Sequence, residues 1–291
     1  MPSRRPAPTV RLRRLAGELA RLRSDSGLTR EDVAERTGIN PATLYRIEYA
    51  HTRPQARTLR ALLELYNVEE ARRSELSILL KEASQRSWLH TLASSLPEHY
   101  ASYIEFETAA KSVLNYECLF VPGLLQTEEY ARAAVQGTLP GATREEIQNR
   151  VDVRMRRQAV LTGDDALQLW AIVDEAALRR VVGGAQVMRE QLDRLVEMAE
   201  LPNVTLQVVP FGAGAHPGMP GSFVVMQFPE PMGPDLVYIE SQAGDLFLEE
   251  EVDTTRYTLV FEHLRAAAAA PNGSIALISE AAEALQPGRR A

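Results

Sequence analysis

Residues 28–54, LTREDVAERTGINPATLYRIEYAHTRP, constrain the fold more than any other part of this chain, because capping, glycine and apolar positions recur in the order of two short helices around a tight turn. Thr29 stands at an N-cap position, with Glu31 and Asp32 in the turn that follows, where negative charge favours the positive end of a helix dipole. Val33 and Ala34 supply an inner face, and Gly38 supplies a residue that tolerates a left-handed stop. Ile39 then plugs the angle between the two helices. Asn40 caps a second helix whose first position is Pro41, where a missing N–H costs nothing, and Leu44 and Ile47 face inward three residues apart. Ala42, Thr43, Tyr45 and Arg46 are left pointing outward. The spacing predicts a helix-turn-helix.

The run Leu-Thr-x-x-x-Val-Ala-x-x-x-Gly-Ile-x-x-x-Thr-Leu-x-x-Ile-Glu, followed by Arg53-Pro54, resembles the five-helix DNA-binding domain of phage-repressor-like regulators of the XRE (Cro/CI) type. That resemblance implies a mainly α, lambda-repressor-like N-terminal domain with helices over Leu12–Arg23, Thr29–Thr37, Pro41–Ala50, Arg57–Tyr66 and Glu69–Gln85. It also implies double-stranded DNA as a partner, with Ala42, Thr43 and Arg46 at base edges in the major groove and Arg30, Tyr49 and Arg53 near phosphates. Arg46 is the foremost specificity candidate, since a guanidinium fork pairs with guanine O6 and N7 for about 1–3 kcal/mol of discrimination. A solvated or salt-bridged arginine is the alternative. Most relatives carry Gln after the capping Thr; this chain has Arg30, which is expected to keep the backbone contact and add a charge.

Charge is split along the chain. Residues 1–90 hold 17 of the 32 Lys and Arg but 11 of the 39 Asp and Glu, a net +6, whereas residues 91–291 hold 15 against 28, a net −13. An overall charge of −7 therefore hides a basic head, the asymmetry expected of a dedicated nucleic-acid arm. The domain reading is a disordered tail over 1–10, the DNA-binding domain over 11–88, a larger α+β effector- or partner-binding domain over 89–286, and a short tail over 287–291. The chain opens on no charged-then-apolar signal and holds no apolar run near the roughly 20 residues a membrane helix needs, so a cytoplasmic protein with no membrane partner is expected. The single cysteine, Cys118, excludes an internal disulfide and a multi-thiolate zinc site, and set among Tyr116, Leu119 and Phe120 it reads as core rather than redox sensor.

In the larger half, residues 97–116 read as one helix, Thr127 caps a second, and a third runs from about Thr143 to Leu161. Ala166–Val173 reads as a strand, followed by helices over Glu175–Val181 and Ala185–Leu201. Strands are then expected over Val204–Val209, Ser222–Phe228, Leu236–Glu240 and Leu246–Glu249, with closing helices over Thr255–Ala270 and Ile275–Leu285. The phrases Val121-Pro-Gly-Leu-Leu-Gln-Thr-Glu-Glu-Tyr-Ala131, Asp174-Glu-Ala-Ala-Leu-Arg179, Leu201-Pro-Asn-Val204 and Gly214-Ala-His-Pro-Gly218 resemble the domain joined to such heads in actinomycete regulators of the WhiJ-like, Scr-type antitoxin-like group. That likeness implies regulation of development or secondary metabolism, and in many members a small partner protein. A basic complement with only Lys81 and Lys111 as lysines fits a GC-rich genome.

Candidates for chemistry in this half are His216 in the Gly-rich loop 211–221, Asp174-Glu175 and Glu240 at strand ends, and Asp245, but spacing brings none of them together. There is no nucleophile elbow, phosphate loop, H-E-x-x-H pair or two-cysteine metal spacing. The expectation is a non-enzymatic regulator without cofactor or metal, acting as a homodimer on a pseudo-palindrome. His216 marks a possible effector or partner loop. Two rivals stay open: an antitoxin-like factor that sequesters or recruits a small partner and uses DNA for autoregulation, and a DNA-tethered enzyme.

Overall fold

The computed structural model describes residues 10–82, 98–163, 165–229, 234–242 and 244–285. By their contacts they form two compact units, one of residues 10–82, 98–109, 228–229 and 234, the other of residues 110–163, 165–227, 235–242 and 244–285. Of the expected tail over 1–10 only Val10, which opens a helix, is described; the expected tail over 287–291 and the expected boundary at 88 lie outside the described residues.

Five helices open the first unit: α1 Val10–Asp25, α2 Arg30–Thr37, α3 Pro41–Glu48, α4 Ala56–Leu65 and α5 Glu70–Glu82. The local signals act as read. Thr29 and Asp32 form a reciprocal capping box, the Asp32 N–H donating to the Thr29 hydroxyl at 3.1 Å and the Thr29 N–H to the Asp32 carboxylate at 2.8 Å. Gly38 takes φ 71°, a left-handed stop at no steric cost. The Asn40 side chain accepts the Ala42 N–H at 2.9 Å ahead of Pro41. Leu15, Leu19, Val33, Leu44, Ile47, Leu59, Leu62 and Leu76 then close one core among the five helices. A sixth helix, α6 Glu98–Ala109, falls in the same unit: the Arg13 guanidinium lies 5.0 Å from the Phe106 ring centre and 4.9 Å from that of Phe228, and it donates to the Pro234 carbonyl at 2.7 Å.

The second unit is built on a six-stranded mixed sheet in the order β3-β2-β1-β4-β5-β6, from β1 Ser112–Glu117, β2 Gln168–Asp174, β3 Val204–Val209, β4 Phe223–Gln227, β5 Leu236–Ile239 and β6 Leu246–Leu248. β1, β2 and β3 run parallel, joined by helical crossovers: α7 Glu128–Thr138 with α8 Arg144–Arg157, then α9 Glu175–Arg179 with α10 Ala185–Met198. β4, β5 and β6 continue antiparallel from β1. α11 Glu251–Ala267 packs Phe261 and Leu264 on the face made by Tyr116, Ile172, Val209, Phe223, Val225 and Val237. α12 Pro271–Ala284 packs against α10 and β3, where the Ser274 hydroxyl accepts the Val208 N–H and the Ala269 N–H reaches the Val208 carbonyl, so the β3 edge is capped.

One expectation is corrected. The single helix expected over 97–116 ends at Ala109, and Ser112–Glu117 forms β1, the strand at the junction of the parallel and antiparallel halves. The alternation Val113, Asn115, Glu117 against Leu114, Tyr116 has the period of a strand, and burial of both faces disguises it as apolar helix.

Candidate functional site

α3 presents an outward face. Ala42, Thr43 and Arg46 are exposed, while Leu44 and Ile47 on the opposite side are buried. The Arg46 side chain makes no hydrogen bond or ion pair with any described residue, so its fork is available to an external acceptor.

Behind that face sits a cluster that sequence reasoning passed over. The Glu48 side chain is fully buried at the end of α3 and receives Arg23 of α1 at 2.6 Å and Arg30 of α2 at 2.7 Å. Arg23 also donates to the Leu28 carbonyl at 2.9 Å, which ties the end of α1 to the start of α2. One buried carboxylate thus fixes three helices relative to one another, and truncating one side of such a cluster leaves uncompensated charge. The signal was in the motif: Glu48 lies four residues after the inward-facing Leu44, a polar residue on a core stripe.

The expected phosphate neighbours occupy distinct settings. Arg30 is half-buried, its Nε bound to Glu48 and its guanidinium carbon 5.2 Å from the Tyr45 ring centre and 5.8 Å from that of Tyr49. Burial opposes its charge, but the hydrogen bond and charge of Glu48 outweigh this and hold it above the ordinary arginine range. Tyr45 and Tyr49 pack with ring centres 4.4 Å apart, and His51 lies 6.3 Å from each. With Tyr45 42% and Tyr49 49% exposed, this aromatic ladder borders the outward face. Arg53 is exposed and donates to the Leu80 carbonyl at 2.8 Å, which anchors the chain after α3 to α5.

In the second unit, the carboxyl ends of β1, β2 and β3 meet the start of β4 and the end of β5 at one margin of the sheet. On the α11 face, the fold joins residues that spacing left apart: His216 Nε2 lies 3.2 Å from an Asp174 carboxylate oxygen, with both side chains largely buried. The other Asp174 oxygen accepts the Ala176 N–H at 2.8 Å, as an N-cap. The loop carrying His216 comes close because Gly218 lies flat on Tyr116, where a Cβ would stand 2.5 Å from the ring. His216 Nδ1 and the Tyr116 hydroxyl are buried without a hydrogen-bond partner. Burial, followed by the Asp174 charge, pushes the Tyr116 hydroxyl upward, so it remains a phenol. Glu175 accepts the Phe211 N–H at 2.9 Å and pairs with Arg179 at 3.0 Å.

On the opposite face, register aligns Glu117, Ser222 and Glu240. Tyr116 pairs with Phe223 and Val224 with Tyr238, so continuing the ladders sets Glu117 beside Ser222 and Ser222 beside Glu240. Burial pushes the Glu117 carboxyl up to about 7, a hydrogen bond from Ser222 and the charge of Arg154 pull it down, and Glu240 raises it. The segment 121–127 is held by buried glutamines: Gln191 donates to the Leu125 carbonyl at 2.8 Å and accepts the Thr127 N–H at 2.7 Å, and Gln126 donates to the Val121 carbonyl at 2.7 Å. Arg154 reaches the same segment through Gln126 Oε1 at 3.0 Å, while its Nε is buried without a partner. Among the described residues no group of three or more His, Cys, Asp and Glu could hold a metal ion, and no helix is long and apolar enough to cross a membrane.

Residues 14–76 match a helix-turn-helix domain family, and residues 100–280, well over half the chain, match a family described as a domain of unknown function (DUF5753). No curated protein and no solved structure matches the chain.

Proposed function

For a chain that belongs to the family of the domain of unknown function DUF5753 and carries a helix-turn-helix domain ahead of it, we propose a sequence-specific transcription regulator. The α3 face reads DNA, and the sheet domain adjusts operator affinity in response to an effector or a partner. The observation that carries the reading is the geometry of α3: Glu48 pins it from behind through Arg23 and Arg30, while Ala42, Thr43 and the uncommitted Arg46 fork stand exposed in front. A recognition helix needs this combination of rigid backing and free polar tips, because base readout depends on placing a fork against O6 and N7 within hydrogen-bond geometry.

A head of this size contacts few base pairs, so useful specificity calls for two heads on half-sites about one helical turn apart, and we assign the working form as a homodimer in the cytoplasm. Arg30, Tyr49 and Arg53 supply the phosphate contacts in this reading. No residue is assigned a catalytic role. The sheet domain acts by favouring one of two states with different operator affinities, which an effector can do only through differential binding. Membership of an antitoxin-like actinobacterial group, with a small protein as that partner, is the alternative form of the same control.

Selection from a randomised duplex pool tests the proposal. Enrichment of a pseudo-palindrome by the full chain is the expected result; folded protein that enriches nothing would overturn sequence-specific binding by the chain alone.

A further inference from the structure

Tyr45 stands on the outward face of α3 with no part in the proposed DNA contacts. In a helix, residues three and four apart share a side, so Ala42, Tyr45, Arg46 and Tyr49 line one exposed stripe, with Tyr45 directly before Arg46 in the chain. The Tyr45 ring is already held. The Tyr49 ring centre lies 4.4 Å away, and the Arg30 guanidinium, itself fixed by Glu48, lies 5.2 Å from the Tyr45 ring centre. Tyr45 nevertheless stays 42% exposed. An aromatic ring restrained by its neighbours yet open to water loses little freedom when a further group packs on it.

The surroundings of the ring select that group. Ala42 offers only a methyl one turn earlier, so the strip from Ala42 to Tyr45 is apolar and runs beside the cationic Arg46. Base edges in the major groove carry hydrogen-bond donors and acceptors and one kind of apolar group, the methyl on C5 of a pyrimidine. Consecutive Cα atoms lie about 3.8 Å apart, close to the rise of about 3.4 Å between base pairs, so Tyr45 and Arg46 reach neighbouring base pairs.

We infer that Tyr45 is a specificity-determining residue, whose ring packs on the C5-methyl of a pyrimidine next to the guanine that Arg46 pairs with. The inference rests on the reading of α3 as the helix at the base edges and adds a chemical feature of the operator, a methyl-bearing pyrimidine beside a guanine. Thymine and 5-methylcytosine both carry that methyl.

The test takes the duplex enriched by the full chain and replaces each thymine in turn by deoxyuridine, which lacks only the methyl. Affinity is read by competition with the unmodified duplex. For the wild type, one replacement next to the base pair at which Arg46→Ala loses discrimination is expected to weaken binding about three- to fivefold, the effect of one buried methyl. Tyr45→Ala is expected to bind the two duplexes equally. Tyr45→Phe should keep the wild-type ratio, because the ring and not the hydroxyl makes the contact. Comparing the two duplexes within each variant cancels any general loss of affinity. In a second arm, cytosine at each flanking position is compared with 5-methylcytosine. A methyl effect at thymine only, at 5-methylcytosine only or at both identifies the source of the methyl and upholds the contact. The inference is overturned if neither methyl changes wild-type affinity, if Tyr45→Ala keeps the wild-type ratio, or if Tyr45→Phe loses it. Such a failure on a duplex that Arg46 still discriminates leaves the regulator reading standing, whereas selection that enriches nothing removes both.

Discussion

Glu48 and Arg46 sit two residues apart on α3 and do opposite work. Glu48 is a fully buried carboxylate satisfied by two guanidinium groups, so Glu48→Ala leaves Arg23 and Arg30 without their acceptor and is expected to destabilise the head by about 3–5 kcal/mol in a urea titration. Arg46 has no such partner, and Arg46→Ala should leave the unfolding free energy within about 0.5 kcal/mol of the wild type, as for other surface substitutions. A comparable loss of stability from Arg46→Ala would show that the arginine is structural. Sequence spacing disclosed the exposure of Arg46 through periodicity, but it could not disclose the Arg23–Glu48–Arg30 cluster, since an ion pair between α1, α2 and α3 exists only once the helices cross. Glu117 makes a pH prediction. Its folded carboxyl titrates near 7 against an ordinary 4.5, so the native state holds the proton more tightly and stability falls as pH rises through that interval. The loss is at most about 3 kcal/mol, since the group keeps some contact with water. Melts between pH 5 and 8 should therefore slope downward in the wild type more steeply than in Glu117→Gln, and identical slopes would remove the assignment.

Among the elements, those with end signals of their own were the legible ones. α2 and α3 are bracketed by Thr29, Gly38, Asn40 and Pro41, and each of these residues makes the contact its type suggests. β1 was read as the end of a helix because no glycine or proline separates Ala109 from Ser112, and because a strand covered on both faces loses the alternation that exposes strands elsewhere. That reading hides Glu117, which falls just past a helix ending at 116 and is given no cross-strand neighbours. The pairing of His216 with Asp174 was hidden for a different reason: it depends on a loop between β3 and β4 folding back onto the end of β2, a contact across more than forty residues. The loop can do so because Gly218 has no side chain. Gly218→Ala forces its Cβ into the buried Tyr116 ring and is expected to cost about 1–3 kcal/mol by overpacking, read by urea unfolding, while Gly212→Ala, with open space at its Cβ, should be nearly neutral.

At the scale of the whole molecule, the chain combines a basic head and an acidic body, +6 and −13, and the two charges serve different ends. In the proposed function the head's charge meets phosphate, so its contribution to affinity is expected to weaken as salt rises. The body's acidic groups include Glu117 and Glu240, which register aligns at one margin of the sheet. The division was legible from composition alone. What composition could not convey is that the residues proposed for base recognition and phosphate contact sit in different settings, the Arg46 side chain exposed and Arg30 bound to Glu48. The central claim, that α3 reads base edges, is tested most directly by titrating wild type, Arg46→Ala and Arg30→Ala against the selected duplex and against random duplex at two salt concentrations. The account predicts that Arg46→Ala loses about 1–3 kcal/mol on the selected duplex only. It predicts that Arg30→Ala weakens both duplexes alike and reduces the salt slope by about one. Equal losses on selected and random DNA for Arg46→Ala would contradict it.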